Sequence, residues 1–112
     1  MKKLTSPDTL DEIWQLPLAI VFKHSLTCAH SQKALWAVEE FYEEHPDLFL
    51  YVLRIQRFRG LSISVAERSG IAHASPQVLV LRRGIVTAVA SHGEITTDWL
   101  CQGIRQNDLP YR

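Results

Sequence analysis

Apolar positions along the chain follow two different periods. The run Leu18–Lys23 (LAIVFK) is continuous, β-branched and aromatic, and too short for a helix, so it predicts a buried strand. Leu48–Ile55 (LFLYVLRI) predicts a second one. Between them, from Ser31 to His45, Ala34, Leu35, Val38, Phe41 and Tyr42 recur at helical spacing; Glu39, Glu40, Glu43 and Glu44 take other positions and Pro46 marks the end. The polar stretch His24–Thr27 predicts the loop joining strand to helix. Ser62–Arg68 followed by Gly70 predicts a short helix with a glycine stop. Gln77–Leu81 and Ile85–Ala90 predict two strands whose link, Arg82, Arg83 and Gly84, is short enough for an antiparallel hairpin. A short helix around Thr9–Trp14 precedes all of these, a helix over Thr97–Arg105 closes the chain, and the two ends read as loosely held.

This order forces a mixed sheet. The first two strands need a helical crossover and so lie parallel, whereas the last two need only a turn. An α/β fold with a central mixed β-sheet flanked by helices is therefore expected, and the order of elements is that of the thioredoxin-like architecture. With 112 residues, 46% of them hydrophobic, and no repeat or linker-like tract, residues 1–112 read as one domain.

Charge and cysteine usage narrow the function. Twelve basic and twelve acidic side chains leave no net charge, so nothing global draws the chain to nucleic acid or to an anionic membrane. No apolar run reaches membrane-spanning length, and Asp8, Asp11 and Glu12 stand where a signal peptide would carry its apolar core. A cytoplasmic protein, monomeric or weakly dimeric, is expected. The two cysteines, Cys28 and Cys101, are far apart and do not make the dense framework of a small secreted domain; a reducing compartment and a thiol that does chemistry fit better. Metal-ligand spacing, a phosphate-cradling glycine loop and paired catalytic carboxylates are not evident in the sequence, so no permanently bound cofactor and no metal are expected.

The candidate reactive group is Cys28, between the first long strand and the long helix. At that junction the unsatisfied amide groups of the first helical turn favour thiolate over thiol. Free cysteines are often inert and buried, but Cys28 keeps polar company in His24, Ser25, Thr27, His30 and Ser31. In the motif Cys28-Ala29-His30-Ser31, Ser31 stands where a dithiol redox protein carries its second cysteine. A thiolate there still attacks a disulfide, but a thiol from solution or another protein must release the product. Thr27, His30 and Ser31 are thus candidate site residues with Cys28. His30 either lends positive charge to the thiolate or faces water, and His24 reads as a satisfied polar residue near the strand end rather than a base.

Ser75-Pro76 immediately precedes a strand. X–Pro bonds are trans as a rule, but the thioredoxin-like order marks this position as that of a cis-proline beside the cysteine. The turn would then present the Ser75 backbone for pairing with an incoming chain, which makes Ser75 and Pro76 candidate substrate-binding residues. Cys101, among Trp99, Leu100 and Ile104, reads as core packing. Arg54, Arg57 and Arg59 with Phe58 read as a solvated loop or as a contact for an acidic partner or the carboxylates of a small thiol.

Four segments together resemble the monothiol bacilliredoxin family, which has a thioredoxin-like fold, over almost the whole chain: FKHSLTC (Phe22–Cys28), the CxxS ending at Ser31, VAERSGIAHASPQVLVL (Val65–Leu81) and SHGEIT (Ser91–Thr96). The resemblance implies a bacterial oxidative-stress protein in which Cys28 takes bacillithiol from S-bacillithiolated proteins, with bacillithiol as thiol co-substrate and a second bacillithiol or a partner redoxin regenerating the enzyme. Ala29 and His30 replace the Pro and Ile usual in the family, and Ala74 stands where it tends to carry an acidic residue. Two other functions compete with this one. One is a non-catalytic module that clasps an extended peptide or senses oxidant; the other is general disulfide reduction with Cys101 as a distant resolving thiol.

Overall fold

The computed structural model of the chain describes residues 1–105 and 109–111. In chain order the elements are β1 (Lys2–Lys3), α1 (Pro7–Gln15), β2 (Ala19–His24), α2 (Ala29–Glu44), β3 (Phe49–Arg54), α3 (Arg59–Ser69), β4 (Gln77–Arg82), β5 (Ile85–Ser91), a 3-10 turn (His92–Glu94) and α4 (Thr97–Arg105). The strands form one sheet in the order β1-β3-β2-β4-β5. β1 and β2 run parallel to β3, while β4 is antiparallel to both β2 and β5. The expected α/β architecture, a mixed sheet flanked by helices, is what the chain adopts.

Strand alternation divides the core into two layers. Ala19 and Val21 of β2 point to one face with Leu10 and Ile13 of α1 and Leu61 and Val65 of α3. Ile20 and Phe22 point to the other, against Ala34, Val38 and Phe41 of α2 and Leu100 of α4. Both faces of β2 are covered, which explains why its sequence is a continuous apolar run rather than an alternating one.

Local signals set the ends of the elements. The Ser6 hydroxyl accepts from the Thr9 amide and Pro7 opens α1, a capped start with proline where its missing N–H costs nothing. Gly70, at φ 72°, ends α3 in the left-handed conformation. In the β4–β5 link Gly84 sits at φ 79°, and a Cβ there would lie 2.8 Å from Trp14 Cδ1, so only glycine suits the turn.

Three expectations are corrected. The amino-terminal end is not loose: Lys2 and Lys3 add an edge strand beside Tyr51 and Val52, the Leu4 amide donates to the Val52 carbonyl at 2.9 Å, and Leu4 is fully buried. Two lysines hide this strand because it buries no apolar side chain of its own; backbone pairing and the Lys2 ammonium over the Phe49 and Tyr51 rings hold it. His24 belongs to β2, paired with Arg54, and not to the loop, since the ladder continues one residue past the apolar run. α2 and α3 begin two and three residues earlier than the apolar spacing implies: the first turn of α2 carries no large buried side chain, and in α3 the exposed Arg59 and Gly60 precede the buried Leu61. At the other end, the Tyr111 amide donates to the Val86 carbonyl at 2.7 Å, which ties that segment to β5.

Candidate functional site

Cys28 is the N-cap of α2, with extended backbone (φ −106°, ψ 127°), and its side chain makes no capping hydrogen bond. Its thiol is free and half-buried. A sulfur in this position lies at the amide end of a sixteen-residue helix, whose first-turn N–H groups have no intrahelical acceptor.

The loop that delivers Cys28 is held from both sides. Ser31, fully buried one turn into α2, accepts a hydrogen bond from the Ser25 amide on its Oγ at 3.0 Å, and its own amide donates to the Cys28 carbonyl at 3.0 Å. From the β3–α3 loop, Gln56 reaches across: its Nε2 donates to Ser25 Oγ at 2.7 Å and to Thr27 Oγ1 at 3.3 Å, and its Oε1 accepts from the Leu26 amide at 3.3 Å. Ser25 and Thr27 hydroxyls also meet, at 3.3 Å. Thr27 is thus part of the loop's hydrogen-bonded frame, and the serine at the resolving position is an anchor for the same loop. Leu26, between them, is two-thirds exposed at 67%.

The Ser75–Pro76 peptide is cis. Because Lys23 at the end of β2 pairs with Gln77 at the start of β4, this bond lies at the same end of the sheet as the Cys28 loop. Pro76 is buried and its carbonyl accepts from the His92 amide at 3.0 Å, while Ser75 Oγ is buried with no partner among the described residues. His30 is exposed on the first turn of α2, and its ring meets that of His92 edge-on at 6.0 Å. Cys28, Thr27, His30 and Ser31 therefore share one strand–helix junction, with Ser75 and Pro76 at the neighbouring strand. Cys101 is half-buried on α4 against the core layer of α2, in agreement with a packing role.

The two residues before the loop point to opposite faces of the sheet. Lys23 is fully buried on the α3 side; its Nζ donates to His73 Nδ1 at 3.3 Å, and the Ser62 hydroxyl lies 3.2 Å from the same nitrogen. Burial pushes the Lys23 ammonium down to about 8. His73 is also lowered, by desolvation and then by the Lys23 charge. His24, on the α2 side, is not the satisfied polar residue expected at the strand end: it is buried and its Nδ1 lacks a partner among the described residues. Its pKa is lowered by burial and then by Arg54, with Glu39 acting in the opposite direction. His24, Arg54 and Glu39 line a cavity of about 530 Å³ together with Lys3, Arg57 and an apolar wall of Leu35, Val52 and Phe58. Of the three arginines in the basic cluster, Arg54 and Arg57 reach this cavity and Arg59 does not.

Gln56, the Lys23–His73–Ser62 cluster and Lys3 were not legible as site residues. Only Lys23 leaves a signal, a charge inside an otherwise apolar strand run; Gln56 acts from a loop distant in sequence and has no motif.

Comparison with known proteins accords with this geometry. The sequence profile of the family described as monothiol bacilliredoxin BrxC matches residues 2–100. A solved structure of a candidate oxidoreductase with a thioredoxin fold is similar at 31% identity with a TM-score of 0.85, covering 92% of each chain. The fold is shared more widely. Plasmodium falciparum thioredoxin has 18% identity and a TM-score of 0.72, covering 94% of this chain and 97% of its own. Malassezia sympodialis thioredoxin has 11% identity and a TM-score of 0.76, covering 97% and 91%. With a free cysteine at the start of α2, a serine three residues on and a cis-proline beside them, the chain belongs to the monothiol bacilliredoxin family and has the thioredoxin fold.

Proposed function

We propose that Cys28 carries out monothiol thiol–disulfide exchange on proteins modified by a small thiol, with bacillithiol as the adduct expected from the family. The observation that carries this reading is the half-buried free thiol at the N-cap of α2, with the resolving position held by a serine whose hydroxyl is engaged in the loop. The Cys28 thiolate attacks the small-thiol sulfur of the mixed disulfide. A Cys28–small-thiol disulfide forms, and the protein substrate leaves as its thiolate, which takes a proton from water. A second small-thiol molecule, as thiolate, then attacks the adduct sulfur, giving the symmetrical small-thiol disulfide and restoring Cys28. The substrate backbone near its modified cysteine pairs beside the cis Ser75–Pro76 turn, which asks little of the substrate's side chains. Regeneration requires a compartment that supplies reduced thiol, which favours the cytoplasm.

A protein carrying a bacillithiol mixed disulfide is the test substrate. With one equivalent, the chain is expected to gain the mass of one bacillithiol on Cys28, and Cys28→Ser should show neither adduct nor turnover. Release of the adduct by Cys28→Ser at the wild-type rate would refute the reading. Loss of turnover in Cys101→Ala, with Cys28 intact and the fold retained, would refute its one-cysteine form.

A further inference from the structure

The cavity beside His24 has the make-up of a small-molecule site. It lies at the carboxyl ends of the parallel strands β1, β3 and β2, the end of an α/β sheet where ligands bind. His24 and Arg54, which close β2 and β3, are register partners. Its volume, about 530 Å³, falls in the range that holds a small ligand.

Its walls differ in chemistry. Leu35 of α2, Val52 of β3 and Phe58 at the start of α3, all half-buried, form an apolar wall, with the Arg57 guanidinium 5.8 Å from the Phe58 ring centroid. Around them stand Lys3, Arg54 and Arg57, none of which pairs with a carboxylate among the described residues; the one ion pair there, Arg68 to Asp11, lies elsewhere. Lys2, also in the lining, lies against the Phe49 and Tyr51 rings. Glu39 is the single acidic group in the lining.

Three cations without an ion-pair partner around one carboxylate suit an anionic ligand, and two guanidinium forks suit planar bidentate carboxylates. The apolar wall excludes a fully hydrated inorganic ion as the natural occupant. We infer that this cavity binds a small organic acid bearing at least two carboxylates, seated on Arg54, Arg57 and Lys3, with its carbon body against Leu35, Val52 and Phe58. Glu39 then takes a hydroxyl or amine of the same molecule, which sets hydroxy or amino diacids apart from plain ones. The ligand lies next to the Gln56 clip and the strand that delivers Cys28, yet the site stands whether or not Cys28 turns over.

Calorimetric titration of the full chain at low salt tests this with malate as the probe, and with succinate, neutral succinamide and inorganic phosphate for comparison. Malate is expected to bind with a dissociation constant below about 1 mM and more tightly than succinate. Arg54→Gln and Arg57→Gln should each weaken it about tenfold, while Arg59→Gln, outside the cavity, leaves it unchanged. Glu39→Gln should erase the preference for malate over succinate. Absence of malate binding up to about 10 mM, equal loss in Arg59→Gln, or tighter binding of phosphate than of malate would overturn the inference. Amide chemical-shift changes at His24, Val52 and Phe58 on adding malate report occupancy separately from the charge changes of the variants.

Discussion

The two faces of the sheet are alike in their apolar cores and opposite at the end that carries the thiol. On the α1/α3 face, β2 finishes with Lys23, sealed among protein atoms and sharing one nitrogen of His73 with Ser62. On the α2/α4 face it finishes with His24, beside a cavity rimmed by unpaired cations. One face internalises its polar chemistry and the other leaves it open to a ligand. Strand geometry alone produces the difference, since consecutive residues point to opposite sides.

The sharpest way to break the contrast is to remove the sealed charge. Below pH 8 the folded protein bears the whole cost of keeping a buried ammonium, because the folded pKa of about 8 lies under the ordinary 10.5. The unfolded chain binds the extra proton between these values, so stability rises from pH 8 to 10.5. Lys23→Met should therefore raise stability near pH 7 by up to about 3 kcal/mol in denaturant unfolding. The gain should shrink toward zero as the pH passes 10.5. A variant less stable than wild type at neutral pH would mean that the Lys23–His73 bond outweighs desolvation.

The tether of the reactive loop gives the next largest effect. Ser31→Ala leaves the Ser25 amide without its acceptor in a buried setting, at a cost of about 2 kcal/mol in the same measurement. Gln56→Ala should be milder, about 1 kcal/mol, since Gln56 is exposed and water replaces its bonds. Its clearer readout is a faster hydrogen exchange of the Leu26 amide and a slower Cys28 exchange reaction. Unchanged protection at Leu26 would show that Ser31 alone holds the loop. On the acid side, His24 and His73 both have lowered values, so each withdraws stability as the pH falls below 6.5, one on either face.

Much of this was legible in the sequence because burial writes itself as pattern. The two apolar strand runs, the spacing of Ala34, Leu35, Val38 and Phe41, and the Arg82–Gly84 hairpin link each report a packed surface. They gave the mixed sheet and its helices and so placed Cys28 at the N-cap of α2 and Ser75–Pro76 at the head of β4. What stayed hidden depends on contacts rather than periodicity. β1 rests on backbone pairing that two lysines disguise, and Gln56 works through three hydrogen bonds to a loop about thirty residues away. The open side of His24 depends on Lys3 and Arg57 meeting across elements that no local motif joins.

The engaged hydroxyl of Ser31 also bears on how this lineage could change its chemistry. A single codon change to cysteine would supply a second thiol and at once remove the oxygen that receives the Ser25 amide. The path to a dithiol enzyme thus runs through an intermediate with a weakened loop, unless a compensating acceptor arises first. The one-cysteine chemistry and the anchoring of the reactive loop thus rest on the same atom, Ser31 Oγ, which a thiol sulfur replaces only as a weaker acceptor.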